Sequence, residues 1–194
     1  MMRWDIINRL IDKNNYKTYL EIGVQDYYCN CDKIKAEYKV AVDPAPRNKC
    51  DFVGTSDEYF AQLTPEVKFD IVFIDGLHHY DQVNKDIKNS LNHLNEGGTI
   101  VLHDCSPESE SMQVREDHGG PWTGDVWKSI FIHRYRTDLD VYVINTDYGC
   151  GVVTRGTQTP PNMELNDSTL TWSTLEFNRK EMLNLISVEE FLNK

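Results

Sequence analysis

The sequence predicts an α/β fold: a doubly wound, mostly parallel sheet with an antiparallel strand pair near the C-terminus. Three observations carry this expectation. Strand-length apolar runs alternate with helical patterns from residue 3 to residue 102, which implies right-handed crossovers between parallel strands. Phe69–Ile74 is almost uninterrupted apolar text apart from Asp70, as a strand covered on both faces requires. Two later segments, 141–144 and 151–154, read as strands joined by a turn at 147–149, close enough to pair antiparallel.

In chain order, Trp4, Ile7, Leu10 and Ile11 lie on one face of a first helix that Asn14 and Asn15 close. Residues 18–24 read as the first strand and 38–42 as the second. Asp43-Pro44 ends the second, because a residue before proline is driven out of helical geometry and the ring stops the ladder. Residues 32–37 between them read as a short helix. A third strand near 51–53 leads to Ser56-Asp57, which resembles a helix cap ahead of Glu58, Tyr59, Phe60 and Leu63. Beyond the central strand, Val83, Ile87, Leu91 and Leu94 form an amphipathic helix that ends at Gly97-Gly98, and 99–102 is the next strand.

The text then changes. SPESESMQVREDHGGPWTGD is polar and long for a connection, and reads as a loop or lid. A helix containing Val126, Trp127, Ile130 and Phe131 follows, and then the two late strands. After Pro160-Pro161, Leu183, Ile186, Phe191 and Leu192 mark a helical region expected to pack back on the body, with a homodimer interface as the rival reading. The expected organisation is one domain over 1–194: a core at about 17–105, a lid or acceptor region at about 106–128, and C-terminal strands with a helical extension at about 139–194.

Composition narrows the function. Hydrophobic residues at 40% and charged residues at 26% are ordinary for a globular protein. Acidic residues outnumber basic ones 31 to 20, a field that repels a phosphate backbone, so nucleic acid is not expected as a partner. Cys29, Cys31, Cys50, Cys105 and Cys150 are odd in number and scattered, unlike a disulfide framework, which points to a reducing compartment. The opening MMRWDIINRLIDKNN carries charges within its apolar pattern and no apolar run is long enough to span a bilayer, so a cytoplasmic protein without membrane partners is expected, in the host cytoplasm if the source is viral.

In an open parallel sheet, ligands bind beyond the carboxyl ends of the strands, where strand order reverses. The residues leaving the expected strands are Glu21-Ile22-Gly23, Asp43, Ser56-Asp57, Asp75-Gly76 and His103-Asp104, an acid-rich set. Here the text FIDGLHHYDQVNKDIKNSLNHLNEGGTIVLHDC resembles class I S-adenosylmethionine-dependent methyltransferases, which are Rossmann-like. It is similar in particular to the group found in polysaccharide and sugar pathways of bacteria and viruses. The resemblance spans roughly residues 17–155. It implies that Glu21 and Gly23 lie near the methionine end of the cofactor, that Asp43 accepts hydrogen bonds from the ribose hydroxyls, and that Ser56 and Asp57 sit by the adenine, with Asp75 also in the cofactor site. After Gly23 comes VQDYYCN, not a second glycine, and this argues against an NAD site, whose fingerprint needs glycines at fixed spacing.

The resemblance further implies a hydroxyl acceptor, a sugar, glycan or related small molecule, with methyl transfer to oxygen. His78 is the first-choice base, Asp75 a catalytic acid beside it, and His103 the alternative base with Asp104 orienting it. A divalent cation, Mg2+ in related sugar and macrolide enzymes, would be held by Asp75, Asp104 and His103. Imidazole is a poor magnesium ligand, so metal dependence stays open at this point. Trp122, Asp125, Trp127 and Lys128 in WTGDVWKSI could shape an acceptor pocket, but Trp127 as a core residue and Lys128 as a solvated one are the favoured readings. Two other functions compete with methyl transfer: a catalytically inactive scaffold on the same fold, and, last, an NAD-dependent enzyme.

Overall fold

Helix α1 (Arg3–Asn14) buries Ile6, Ile7, Leu10 and Ile11 and stops where Asn15 turns left-handed at φ 55°, as the paired asparagines suggest. The computed structural model describes all 194 residues, in two compact units. One comprises Met1–Leu77 and Gln82–Leu102, the other His78–Asp81 and His103–Lys194.

The first unit contains β1 (Thr18–Ile22), β2 (Tyr38–Asp43), β3 (Phe52–Val53), helix α2 (Ser56–Ala61), β4 (Phe69–Ile74), most of helix α3 (Tyr80–Asn92) and β5 (Leu94–Leu102). Its strands lie in the order β3-β2-β1-β4-β5, and every pair is parallel. The chain runs outward from β1 to β3, then returns to place β4 on the other side of β1. The order therefore reverses between β1 and β4, and the crevice used by ligands in such sheets falls at their carboxyl ends. Ile71, Val72, Phe73 and Ile74 of β4 are all buried, which explains the unbroken apolar text. Asp70 is the exception, with a reason. Its Oδ2 accepts from Lys17 N, Thr18 N and Thr18 Oγ1, and its Oδ1 from Asn95 Nδ2, so it ties the amino ends of β1 and β5 to β4.

Three expectations are corrected here. Residues 32–37 are not a helix. Only a single 3-10 turn, Cys31–Lys33, forms, because Asn8 on α1 bonds Lys33 O through Nδ2 at 2.9 Å and accepts from Lys35 N at 2.8 Å, holding the chain extended. The cap of α2 is Thr55, not Ser56-Asp57: Thr55 Oγ1 accepts from Glu58 N while Glu58 returns a carboxylate to Thr55 N, a reciprocal capping box. Gly97-Gly98 does not close α3. The helix ends at Asn92, Leu94 already belongs to β5, and the glycines form a bulge where the register to β4 jumps from Phe69↔Leu94 to Ile71↔Thr99. A Cβ on Gly98 would stand 2.8 Å from Asp70 O, so the bulge needs glycine there.

The second unit contains α4 (Trp127–His133), β6 (Leu139–Ile144), β7 (Cys150–Arg155), α5 (Trp172–Leu183), β8 (Leu185–Ile186) and α6 (Val188–Asn193). β6 and β7 pair antiparallel, as expected, through a turn in which Asp147, Tyr148 and Gly149 all have positive φ. The C-terminal region is only partly helical: Asn184 ends α5 in the left-handed region and Ile186 lies in β8, which pairs parallel with β6. Segment 106–125 is a loop with one 3-10 turn, Glu110–Gln113. It is pinned by Thr123 N and Oγ1 donating to Met112 O and by Trp122 Nε1 donating to Val114 O. Trp127 is fully buried, the core role favoured for it. No helix is long and apolar enough to cross a membrane.

Candidate active site

Glu21 sits on β1, one residue before its end, and is 1% exposed. Its Oε2 accepts from the Tyr19 hydroxyl at 2.6 Å and from Asn30 Nδ2 at 3.1 Å. Burial outweighs these bonds and pushes the carboxyl up to about 7, with Asp75 adding repulsion. Asn30 Nδ2 also reaches the Tyr19 hydroxyl, while its own Oδ1 is buried and unmet. The loop after β1 is therefore fastened from below by a Tyr19–Glu21–Asn30 triangle.

Gly23 follows at φ +84° with its Cα against the start of the β4 exit, since a Cβ here would lie 2.2 Å from Asp75 O and 2.4 Å from Gly76 Cα. Gly23 N donates to Val42 O and Asp75 N to Ile22 O, which lock the exits of β1, β2 and β4 together. Asp43 ends β2 with Oδ2 accepting from Gln25 N at 2.8 Å and Oδ1 from Ala45 N at 2.7 Å. Each oxygen is oriented by one backbone donor and keeps capacity for a second. Asp75, directly after β4, has Oδ2 3.9 Å from Arg3 Nε.

Ser56 and Asp57 are engaged elsewhere in the same unit. Ser56 Oγ donates to Asp86 Oδ1 at 2.6 Å, and Gln82 Nε2 donates to the same oxygen. Asp86 is 1% exposed, and burial raises its carboxyl to about 6. Asp57 is exposed and lies 3.6 Å from Lys85 Nζ.

In the second unit, four residues form a chain of imidazoles and carboxylates. His78 Nε2 stands 3.4 Å from Asp104 Oδ2, the same oxygen stands 3.0 Å from His103 Nδ1, and His103 Nε2 is 3.5 Å from Asp147 Oδ1. Asp104 is 4% exposed and takes φ 60°, a left-handed backbone that aspartate tolerates at local cost. Cys105 N donates to Gly149 O and Ser106 N to Tyr148 O, so the strip behind His103-Asp104 is zipped to the β6–β7 turn. His78 stacks on Trp122 with ring centroids 4.7 Å apart. Its carbonyl accepts from Asp125 N, and Gly124 packs so closely there that a Cβ would fall 1.9 Å from His78 O. Asp125 caps α3, its Oδ1 accepting from Tyr80 N at 2.8 Å, and Lys128 is paired to its Oδ2 at 3.3 Å.

Residues 20–105 match the protein family described as Methyltransferase domain. No curated protein sequence matches the chain. Among solved structures, the chain is similar to a protein assigned as a caffeoyl-CoA O-methyltransferase from Staphylococcus aureus, at 18% identity over 79% of this chain and 82% of that one, with a TM-score of 0.59. It is similar to the O-methyltransferase TomG of Streptomyces achromogenes, involved in tomaymycin synthesis and solved with S-adenosylmethionine, at 14% identity over 80% of each chain, TM-score 0.58. It also resembles the MycE methyltransferase of the mycinamycin pathway, solved with Mg, S-adenosylhomocysteine and mycinamycin VI, at 16% identity over 80% of this chain and 50% of that one, TM-score 0.50. Likenesses at these identities speak to the fold, which is that of the class I methyltransferases.

Within the first unit, Glu21, Gly23, Asp43 and Asp75 come together at adjoining strand ends, whereas Ser56 and Asp57 are tied to α3. His78, His103 and Asp104 come together in the second unit. Sequence reasoning missed Tyr19, Asn30, Asp86 and Asp147. Only Asp147 carried a signal, and it was read as turn geometry.

The buried acids make a pH prediction. Glu21 in the folded chain sits at about 7 against an ordinary 4.5, so between these values the native chain holds a proton the unfolded chain has released. Its contribution to stability is complete below the unfolded value and lost as pH rises through about 7. Glu21→Gln, which still accepts from Tyr19, is expected to gain on the order of 2 kcal/mol relative to the parent between about pH 5 and about pH 8. Urea midpoints without cofactor read this, and a gap that is constant with pH would refute it.

Proposed function

We propose that the chain is an S-adenosylmethionine-dependent O-methyltransferase acting in the cytoplasm on a hydroxyl of a sugar, glycan or related small molecule. His78 is the general base in this reading. One observation carries it: a histidine three residues past Asp75 is paired with a buried carboxylate, Asp104, on the segment following β5, and β5 is the parallel neighbour of β4.

The residues of the first unit fit the donor. Asn30 Oδ1, buried and unmet beside Glu21, suits the ammonium of a methionine moiety. Asp43, held by two backbone donors, suits ribose hydroxyls. S-adenosylmethionine, when bound, supplies a methyl group on a sulfonium, and the protein has to align and deprotonate the acceptor. Asp104 orients the His78 ring and would offset the charge that the ring gains on taking the acceptor hydroxyl's proton at Nδ1. The 3.4 Å separation is loose for a hydrogen bond, as catalytic pairs often are before substrate closes the site. His103 has a carboxylate at each ring nitrogen, which favours an orienting role for it over proton removal. Trp122, stacked on His78, gives the base an aromatic wall that fixes its ring plane.

Mg2+ does not fit the donors of the second unit. That ion requires near-octahedral oxygen ligation, and here Asp104 Oδ2 already lies between two imidazoles. No step is assigned to a metal. The test is binding of S-adenosylhomocysteine followed by methyl transfer to hydroxylated acceptors with and without EDTA. Transfer that persists in EDTA is expected, and transfer restored only by Mg2+ would overturn the metal-free reading.

A further inference from the structure

We propose that Arg179 is an anion anchor for the methyl acceptor, which therefore carries a carboxylate or phosphate group. This rests on the methyltransferase reading and names the class of its substrate.

Arg179 lies on α5 just past a kink at Asn178, whose φ of −123° and ψ of 18° leave helical geometry while its Nδ2 donates to Thr174 O. The guanidinium donates from Nη1 to Ser106 Oγ at 2.9 Å and lies over the Trp172 ring, 5.5 Å from its centroid. No carboxylate stands within ion-pair distance of it. Burial pulls its pKa down, and Glu176 and Glu108 oppose this only through space. Arg115 is paired with Asp81 and Asp125, Lys128 with Asp125 and Arg136 with Asp138, and the more deeply buried Arg134 spends both terminal nitrogens on Gln158 Oε1 and Thr159 O. Arg179, by contrast, is partly buried with one neutral hydroxyl as the hydrogen-bond acceptor for its guanidinium. A guanidinium has five N–H donors in a planar fork, and partial dehydration without an opposing charge is unfavourable until an anion arrives.

Its place gives the anchor a use. Ser106 is two residues beyond Asp104, and the same strip is bonded to Tyr148 and Gly149 of the turn that carries Asp147. Arg179 thus rests on a side chain of the segment that carries the His103–Asp104 pair. The chain's net charge of −11 repels anions in general, so an acidic acceptor needs a specific partner, and the arginine fork matches carboxylate and phosphate two bonds at a time.

The experiment uses the full chain saturated with S-adenosylhomocysteine, titrated calorimetrically at constant ionic strength with inorganic phosphate, glucuronate and, as the neutral match, glucose. At least one anion is expected to bind about tenfold or more tightly than glucose, and which one does so distinguishes phosphate from carboxylate. Arg179→Gln should abolish that preference, and Arg179→Lys should keep part of it while losing the forked geometry. Equal binding of all three ligands, absence of anion binding, or an Arg179→Gln variant that binds as the parent does, overturns the proposal. Loss of S-adenosylhomocysteine binding by the parent would instead sink the methyltransferase reading, so the two failures are separable.

Discussion

Gly23→Ala is expected to lower S-adenosylhomocysteine affinity at least ~100-fold and to destabilise the fold by about 2 kcal/mol or more, from two additive causes. A left-handed backbone costs a non-glycine residue about 1–2 kcal/mol. The new Cβ would also overlap Asp75 O at 2.2 Å and Gly76 Cα at 2.4 Å, contacts with backbone that no rotamer change relieves. Relief requires the β1 and β4 exits to separate, which breaks Asp75 N→Ile22 O and disturbs Gly23 N→Val42 O. Glu21, Asp43 and Asp75 would lose their mutual placement together. Gly97→Ala is the control: φ is +74° there but nothing lies within 4 Å, so only the backbone cost should appear. Equal effects at both glycines would show that crowding at Gly23 is unimportant.

His78→Ala is expected to reduce kcat by about 10²- to 10⁴-fold, the usual range for loss of a general base, while S-adenosylhomocysteine affinity stays within about twofold. The split follows from position. The residues proposed to hold the cofactor belong to the first unit, whereas His78 is paired with Asp104 and stacked on Trp122 in the second. His78→Gln keeps a planar group against Trp122 and should be as inactive as alanine, which separates proton transfer from packing. Parental turnover in both variants would move the base elsewhere, with His103 next to examine.

What the sequence revealed depended on the range of the interactions involved. The apolar text of β4 and the spacing in α1 and α3 report burial that each segment expresses by itself, and these elements lie where periodicity put them, except that Leu94, counted in α3, belongs to β5. Gly97-Gly98 misled because a glycine pair both ends helices and opens bulges, and only the partner register on β4 distinguishes the two. Ser56 and Thr55 are both good caps, and the deciding feature is Glu58, three residues after Thr55. Residues 32–37 are held extended by Asn8, whose partners lie more than twenty positions away and leave no local trace. The site divides in the same way. Glu21, Gly23, Asp43, Asp75, His78, His103 and Asp104 sit next to strand ends and are legible once the strands are found. Asn30, Asp147 and Arg179 gain meaning only when loops or helices from distant sequence meet them, at Glu21, His103 and Ser106 respectively.

The most direct test of the central claim is thermal unfolding of the chain with S-adenosylmethionine, S-adenosylhomocysteine and NAD. A ligand that binds only the native state at one hundred times its dissociation constant stabilises it by about 2.7 kcal/mol, a rise of roughly 5 to 10 °C for a chain of this size. The account predicts that rise with both sulfur ligands and none with NAD. No rise with either sulfur ligand would contradict it.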